Sequence, residues 1–128
     1  MTHSPKDFGR SAEALAEHCL RRKGYRILER NLRIGHGELD LIAQDGPTLV
    51  FVEVKGRRTE RFGGASHAIT PHKQRQLIKL ALAYLAKQAL SNCPCRFDVI
   101  LVSEAAGLSP QITHMENAFE VSSSDWQW

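Results

Sequence analysis

The chain has 128 residues, of which 42% are hydrophobic and 24% are charged, which is typical of one globular domain. It contains no apolar run of membrane-spanning length and no apolar stretch near its start that resembles a secretory signal, so we expect a cytoplasmic protein. Three cysteines, an odd number, argue against a disulfide framework. We predict a single domain over residues 1–128, with tails at residues 1–6 and 120–128.

The net charge of +3 is unevenly distributed. Residues 1–79 contain 15 Lys and Arg against 9 Asp and Glu, whereas residues 80–128 contain 2 against 5. A basic part of this kind favours a polyanionic partner such as DNA. Basic residues that only solvate a surface would give the same asymmetry, so this alternative stays open.

Hydrophobic periodicity and turn residues predict seven elements in the order α-β-β-β-α-β-β. The predicted helices cover residues 7–23 and 70–90, and the predicted strands cover residues 25–34, 38–44, 48–55, 96–102 and 111–116. The third and fourth strands are expected to pair in parallel across the second helix. We therefore predict an α/β fold with a central mixed five-stranded sheet flanked by helices.

The third predicted strand is apolar on both faces, which is typical of a central strand. Glu53 and Lys55 nevertheless continue the face formed by Leu49 and Phe51. Because desolvating a charged side chain costs several kcal/mol, the end of this strand must open into a cleft or hold a compensating ion.

Asp40 is a second charge in a mostly apolar strand, in which strict alternation puts Leu39, Leu41 and Ala43 on one face and Glu38, Asp40 and Ile42 on the other. If the hairpin between the second and third strands pairs Gln44 with Leu49, Asp40 lies opposite Glu53, with roughly 4.5–5.5 Å between their Cβ atoms. Two carboxylates that close repel each other unless a cation lies between them, and Mg²⁺ or Mn²⁺ suits a site made of oxygen atoms. A structural ion pair between Glu53 and Lys55 is the alternative.

Two more residues complete this candidate site. Lys55 shares the face of Glu53 and would orient an attacking water or stabilise charge on a phosphate. Glu13 lies on the first helix among small and apolar neighbours, where it would support the site, unless it is a solvated helix charge.

Several of these residues also carry a family resemblance. Asp40 followed by Glu53-Val54-Lys55 resembles the D…(D/E)-x-K signature of the restriction-endonuclease-like nuclease superfamily. Longer strings over residues 9–119 resemble the bacterial YraN family, which is similar in fold to archaeal Holliday-junction resolvases; they include residues 30–33, 37–43, 51–55 and 96–99. The resemblance implies a restriction-endonuclease-like core in which Asp40 and Glu53 are metal ligands, Lys55 is the catalytic lysine and Glu13 is a supporting acid.

Basic residues follow the candidate site along the chain. Arg57, Arg58 and Arg61 lie in a glycine-containing loop that suits a phosphate backbone, and Lys73 and Arg75 lie in the first turns of the second helix, whose N-terminus attracts phosphate. A flexible solvated loop is the alternative for the first group. Cys93 and Cys95 are a weak zinc signal, because no second pair accompanies them.

Three functions remain open from the sequence. The first is a Mg²⁺- or Mn²⁺-dependent endonuclease acting on DNA, including branched or single-stranded DNA. The second is a nucleic-acid-binding module of the same fold with little turnover, and the third is a protein-interaction scaffold whose charges form structural ion pairs. The similarity to resolvases also raises a homodimer, although no face of the chain indicates one by its pattern.

Overall fold

The computed structural model describes residues 5–57, 69–90, 92–103 and 109–121, and at residues 5–10 and 57 it describes the backbone alone. Within these ranges seven elements follow in the predicted order: α1 (Pro5–Arg22), β1 (Arg26–Ile34), β2 (Gly37–Asp45), β3 (Thr48–Arg57), α2 (Pro71–Lys87), β4 (Cys95–Ser103) and β5 (Gln111–Met115). The α/β class and the element order are as predicted.

The strands form one five-stranded sheet in the order β1-β2-β3-β4-β5. Neighbouring strands are antiparallel except for β3 and β4, which are parallel and are joined through α2. The sheet is therefore mixed, as expected, and β3 is its central strand.

The two faces of the sheet carry separate hydrophobic clusters. On one face, α1 packs Ala12, Ala16 and Leu20 against Val50 and Val52 of β3. On the other, the apolar side of α2 covers a cluster that includes these residues of the sheet: Ile42, Leu49, Phe51, Phe97 and Val99. Because both faces of β3 are covered, Leu49, Val50, Phe51 and Val52 are all buried, and Val54 is partly buried.

Several ends of elements differ from the sequence prediction by one to three residues, and two of these differences have a clear structural cause. β3 continues to Arg57, because its parallel pairing with β4 extends to Arg57 opposite Ser103. α2 ends at Lys87 rather than near residue 90, because Gln88 caps the helix and Ala89 has a left-handed φ of 55°. The start of α2 is as predicted: the Thr70 hydroxyl accepts a hydrogen bond from the Lys73 N–H at 3.2 Å, with Pro71 next in the chain.

The β2–β3 hairpin has the strand pairing on which the site prediction depends. Asp45 pairs with Thr48, Gln44 pairs with Leu49, and two residues form the turn between the strands. Gly46, the first of these two, has a φ of 58°, which is typical of two-residue hairpin turns. The register is therefore the one that directs Asp40 toward Glu53.

Candidate metal centre

Asp40 lies where β2 separates from β3. The paired residues of the two strands end at Leu41 and Val52, and beyond that point Asp40 Oδ2 accepts a hydrogen bond from the Val54 backbone N–H at 2.9 Å. The Asp40 carboxyl group also shares a hydrogen bond with the Glu53 carboxyl group. The hairpin thus brings these two predicted site residues together at the point where the strands part.

The side chains of β2 change phase at the same point, which corrects one sequence expectation. Leu39, Leu41 and Ala43 were expected to share a face. Leu41 and Ala43 do pack in the α1 cluster, but Leu39 packs in the α2 cluster together with Ile42. Simple alternation cannot place Leu39 and Ile42 on one side, so β2 is irregular around Asp40.

The surroundings of the two carboxyl groups disfavour their negative charges. Burial raises the pKa of Glu53 to about 7, and repulsion from Asp40 adds to this increase, whereas the positive charge of Lys73 opposes it. Burial likewise raises the pKa of Asp40, although the hydrogen bond from Val54 opposes that change. Two partly buried carboxyl groups that share a hydrogen bond form an oxygen-rich site that a divalent cation would stabilise.

Two lysines lie beside this carboxyl pair. The Lys73 Nζ lies 3.8 Å from Glu53 Oε2, and the Glu53 side chain is only 13% exposed. Lys55 lies on the Glu53 side of β3 and also lowers the Glu53 pKa, but less than Lys73 does. Lys73 was predicted from the sequence as a phosphate-binding residue, and its position makes it the main counter-charge of Glu53.

Glu13 of α1 lies on the other side of Asp40. Burial raises the pKa of Glu13, and the charge of Asp40 raises it further, whereas a hydrogen bond from the Asn31 side chain opposes the shift. Glu13 also lines a cavity of about 310 Å³ with Asn31 of β1 and Leu41 of β2. The structure therefore groups Glu13 with Asp40, although the two residues belong to different elements.

The predicted nucleic-acid contacts are only partly described. Arg75 is exposed near the start of α2, two residues after Lys73. Arg57 ends β3, and its side chain lies outside the described part of the chain. Arg58 and Arg61, with the rest of the predicted loop, also lie outside the described residues.

A second group of potential ligands lies on the α1 face near the hairpin turn. Asp98, His114 and Glu116 offer ligand atoms within 4.8 Å of one another. In the sequence, Asp98 stands out only as part of a family string, and His114 and Glu116 do not stand out. A buried aspartate in an apolar strand, together with His114 of β5 and Glu116 just after that strand, is the signal that could have indicated this group.

Asp98 is already saturated with hydrogen bonds. Its Oδ1 accepts from Arg96 Nε and from the Asn117 N–H, both at 3.0 Å, and its Oδ2 accepts from Arg96 Nη2 at 3.2 Å and from His114 Nε2 at 2.8 Å. Lys23 Nζ lies 2.8 Å from His114 Nδ1, and because an ammonium group can only donate, the other ring nitrogen must carry the proton. The Arg96 guanidinium therefore takes the place that a cation would need in this group.

The cysteine pair has its own hydrogen bonds. Cys95 Sγ donates to the Cys93 carbonyl oxygen at 3.2 Å, and burial raises the pKa of Cys95 to about 12. A thiol with so high a pKa is a poor metal ligand near neutral pH, since ligation requires the thiolate.

No helix in the described part of the chain is long and apolar enough to cross a membrane.

The fold and the site define a small α/β protein with a pair of neighbouring carboxyl groups where its second and third strands separate. The chain belongs to the family described as "Uncharacterised protein family UPF0102", whose family model matches residues 12–102. This is the YraN family that the sequence resembles.

Curated relatives match nearly the whole chain. A UPF0102 protein of Geotalea uraniireducens is 47% identical over 116 residues, which cover 91% of each chain. A UPF0102 protein of Geobacter sulfurreducens is 47% identical over 120 residues and covers 94% of each chain. A third, from Hahella chejuensis, is 50% identical over 95 residues, which cover 74% of this chain and 77% of that relative.

One solved structure is similar at a lower level. It is Pyrococcus furiosus SfsA in complex with Ca²⁺, which is 19% identical and has a TM-score of 0.39. The match covers 91% of this chain but only 65% of SfsA, which is less than two thirds of that protein. A similarity at this level supports no conclusion about function.

Proposed function

We propose that this protein is a Mg²⁺- or Mn²⁺-dependent endonuclease that hydrolyses phosphodiester bonds in DNA, including branched or single-stranded DNA, in the cytoplasm. The observation that carries the proposal is the hydrogen-bonded carboxyl pair of Asp40 and Glu53, buried beside Lys73. An all-oxygen donor set with excess negative charge fits a hard divalent cation.

Each residue of the site has a role in this proposal. Asp40 and Glu53 would hold the cation, which when bound supplies Lewis-acid stabilisation of the phosphate. Lys55 would orient the attacking water or stabilise negative charge at phosphorus, and Glu13 would support Asp40. In the reaction, water forms a new bond to phosphorus, one ester P–O bond breaks, and a proton from the water ends on the leaving alcohol.

The DNA backbone would run along the basic residues next to this site. Lys73 and Arg75 lie at the start of α2, where the helix N-terminus itself favours an anion, and no acidic residue lies in the first turn of this helix. Arg57 at the end of β3, with Arg58 and Arg61 later in the chain, would extend the same contact. This arrangement would place a phosphate close to Glu53.

The cation site is tested by titrating the full chain with Mn²⁺ and measuring binding by calorimetry and the melting temperature at each concentration. We expect Mn²⁺ to bind and to raise the melting temperature, and Glu53→Gln or Asp40→Asn to weaken binding at least tenfold. Glu116→Gln is the matched control, because Glu116 belongs to the second carboxylate group, and it should leave binding unchanged. Binding that depends on Glu116 rather than Glu53 would overturn the assignment.

Catalysis is tested with single-stranded, duplex, flapped and four-way DNA, and with RNA, each with Mg²⁺ and with Mn²⁺. Cleavage of DNA that is lost in Lys55→Ala and in Asp40→Asn supports the endonuclease. Cleavage that survives both substitutions comes from a contaminant. Metal-dependent DNA binding without any cleavage would instead identify a binding module of the same fold.

A further inference from the structure

Asn31 interrupts an otherwise extended strand. Its φ is 49°, and among the described residues it is the one non-glycine position inside a strand with a left-handed backbone. Such a conformation costs an asparagine on the order of 1 kcal/mol and usually persists only where the surrounding structure requires it. Asn31 belongs to the family string at residues 30–33, to which the proposed endonuclease mechanism gives no role.

Asn31 lies alongside Asp40 in the sheet. Arg30 pairs with Leu41 and Leu32 pairs with Leu39, so the residue between Arg30 and Leu32 faces the residue between Leu39 and Leu41. Asp40 therefore has Asn31 on one side, in β1, and Val54 and Glu53 on the other, in β3.

The alternation of side chains changes phase in β1 as it does in β2. Leu32 packs against the α2 cluster, whereas Arg30 reaches the other face and binds Glu17 of α1. Regular alternation would put Arg30 and Leu32 on the same side. The change occurs at Asn31 in β1 and at Asp40 in β2, which are neighbours, so the two irregularities are one feature of the sheet.

This feature lets two consecutive residues of β1 hold two glutamates of α1. Glu13 and Glu17 lie four residues apart and so face the same way on the helix. The Arg30 Nη2 donates to Glu17 Oε2 at 2.9 Å, while the Asn31 side chain interacts with Glu13 and lowers its pKa, and all four residues line the same cavity. In a regular strand Arg30 and Asn31 would point to opposite faces, so the left-handed backbone is what brings the Asn31 amide to Glu13.

We propose that Asn31 is a positioning residue of the metal centre, which holds the Glu13 carboxylate beside Asp40 and thereby sets the affinity of the site for its cation. This inference rests on the proposed function. Asparagine suits the position because it tolerates a left-handed backbone and its amide N–H₂ can donate to a carboxylate. Removing such an outer partner of a ligand set typically lowers metal affinity 10–100-fold.

The test is Mn²⁺ affinity, measured by calorimetry on the full chain, for Asn31→Gly, Glu13→Gln and the double variant. Glycine accepts the left-handed backbone without strain, so Asn31→Gly removes the amide while the fold remains. We expect Asn31→Gly and Glu13→Gln each to lower Mn²⁺ affinity about tenfold. The double variant should lose no more Mn²⁺ affinity than Glu13→Gln alone, because the amide acts only through Glu13.

Asn117→Gly is the matched control. Asn117 also has a left-handed backbone, with a φ of 50°, but its side chain binds Glu120 in another part of the molecule. The Asn117→Gly variant should bind Mn²⁺ with the same affinity as the unsubstituted protein. Unchanged affinity in Asn31→Gly, additive losses in the double variant, or an equal loss in Asn117→Gly would each overturn the inference.

The same titration separates this inference from the proposed function. If Asp40→Asn and Glu53→Gln bind Mn²⁺ as well as the unsubstituted protein, the metal centre itself is wrong. If those two variants lose binding and Asn31→Gly does not, the metal centre stands and only the role of Asn31 fails.

Discussion

The environment of Glu53 strongly opposes its negative charge. Glu53 is buried, Asp40 lies against it, and the positive charge of Lys73 compensates only in part, so its pKa is raised to about 7. A carboxyl group with a raised pKa binds more protons in the folded state than in the unfolded state between pH 4.5 and 7. In the metal-free protein this group stabilises the fold below about pH 4.5, and the stabilisation is lost as the pH rises through 7.

We therefore expect the free energy of unfolding of the metal-free protein to fall between pH 4.5 and pH 7.5, with Glu53 contributing on the order of 3 kcal/mol to the decrease. Glu53→Gln keeps the shape of the side chain and removes its titration, so its stability should change less over this range. The measurement is urea unfolding in the presence of a chelator. Parallel curves for the two proteins would contradict the raised pKa.

The sequence was informative about single residues where a charge interrupts an apolar pattern. Asp40, Glu53 and Lys55 were found in this way, and the structure brings Asp40 and Glu53 into contact. Asn31 was not found as part of the site, because a polar residue in a strand beside exposed arginines is unremarkable until its backbone angle is known. Lys73 was predicted to bind phosphate, but its distance to Glu53 depends on how α2 packs, which no local pattern reveals.

At the scale of elements, the Asp98 hydrogen-bond network joins four parts of the fold. Arg96 of β4 contacts Asp45 at the end of β2, Glu116 after β5, and Tyr25 between α1 and β1. Burial would raise the pKa of Asp98, but hydrogen bonds from His114, Arg96 and Asn117 outweigh burial and leave the pKa below its usual value. Asp98 is thus the anion around which the short edge strand β5 docks.

We expect Asp98→Asn to reduce the free energy of unfolding by about 3 kcal/mol, as is typical when one partner of a buried ion pair is removed. Both carboxylate oxygens accept two hydrogen bonds each, so an amide N–H₂ in place of either would face donors. Because the pKa of Asp98 is lowered, its carboxylate stabilises the fold above about pH 4, and this stabilisation is lost in more acidic solution. The difference in free energy of unfolding between Asp98→Asn and the unsubstituted protein should therefore shrink toward pH 3. Chemical denaturation at pH 7 and pH 3 measures both effects.

Glu120→Gln is the control for this experiment. Glu120 accepts a hydrogen bond from the Asn117 side chain at an exposed site, so its substitution should cost less than about 0.5 kcal/mol. A loss in Asp98→Asn no larger than this would mean that the network does not stabilise the docking of β5.

The elements themselves were largely predictable, since strong local signals mark their ends. Thr70 with Pro71 indicates the start of α2, and Asp45-Gly46-Pro47 indicates the hairpin turn. The irregularity at Asn31 and Asp40 was not predictable, because the β1–β2 pairing keeps one register on both sides of it and only the direction of the side chains changes. The assumption of strict alternation therefore put Leu39 on the wrong face.

At the scale of the whole molecule, part of the basic charge of residues 1–79 lies near one end of the central strand. The basic start of α2 and the last residues of β3 lie there, whereas Lys87 lies at the far end of α2. If DNA binds at this end, its affinity should fall with salt according to the number of phosphates that basic residues neutralise.

We expect Arg75→Gln to reduce the slope of log affinity against log salt concentration by about one, which corresponds to the loss of one phosphate contact. Lys87→Gln removes the same charge from the other end of the same helix and should leave the slope unchanged. Fluorescence anisotropy with a labelled oligonucleotide over a range of salt concentrations measures both. Equal effects of the two substitutions would point to nonspecific attraction by net charge.

The hydrogen bond from the Val54 N–H to Asp40 Oδ2 also makes the backbone a reporter of the site. Ordinarily a central strand reveals nothing about a neighbouring side chain, because its amide protons are bound to other backbone atoms. Here one amide proton is hydrogen-bonded to a side chain that the proposed cation would also bind. The chemical shift and the exchange rate of the Val54 amide proton therefore give an occupancy signal that requires no substrate, no label and no turnover.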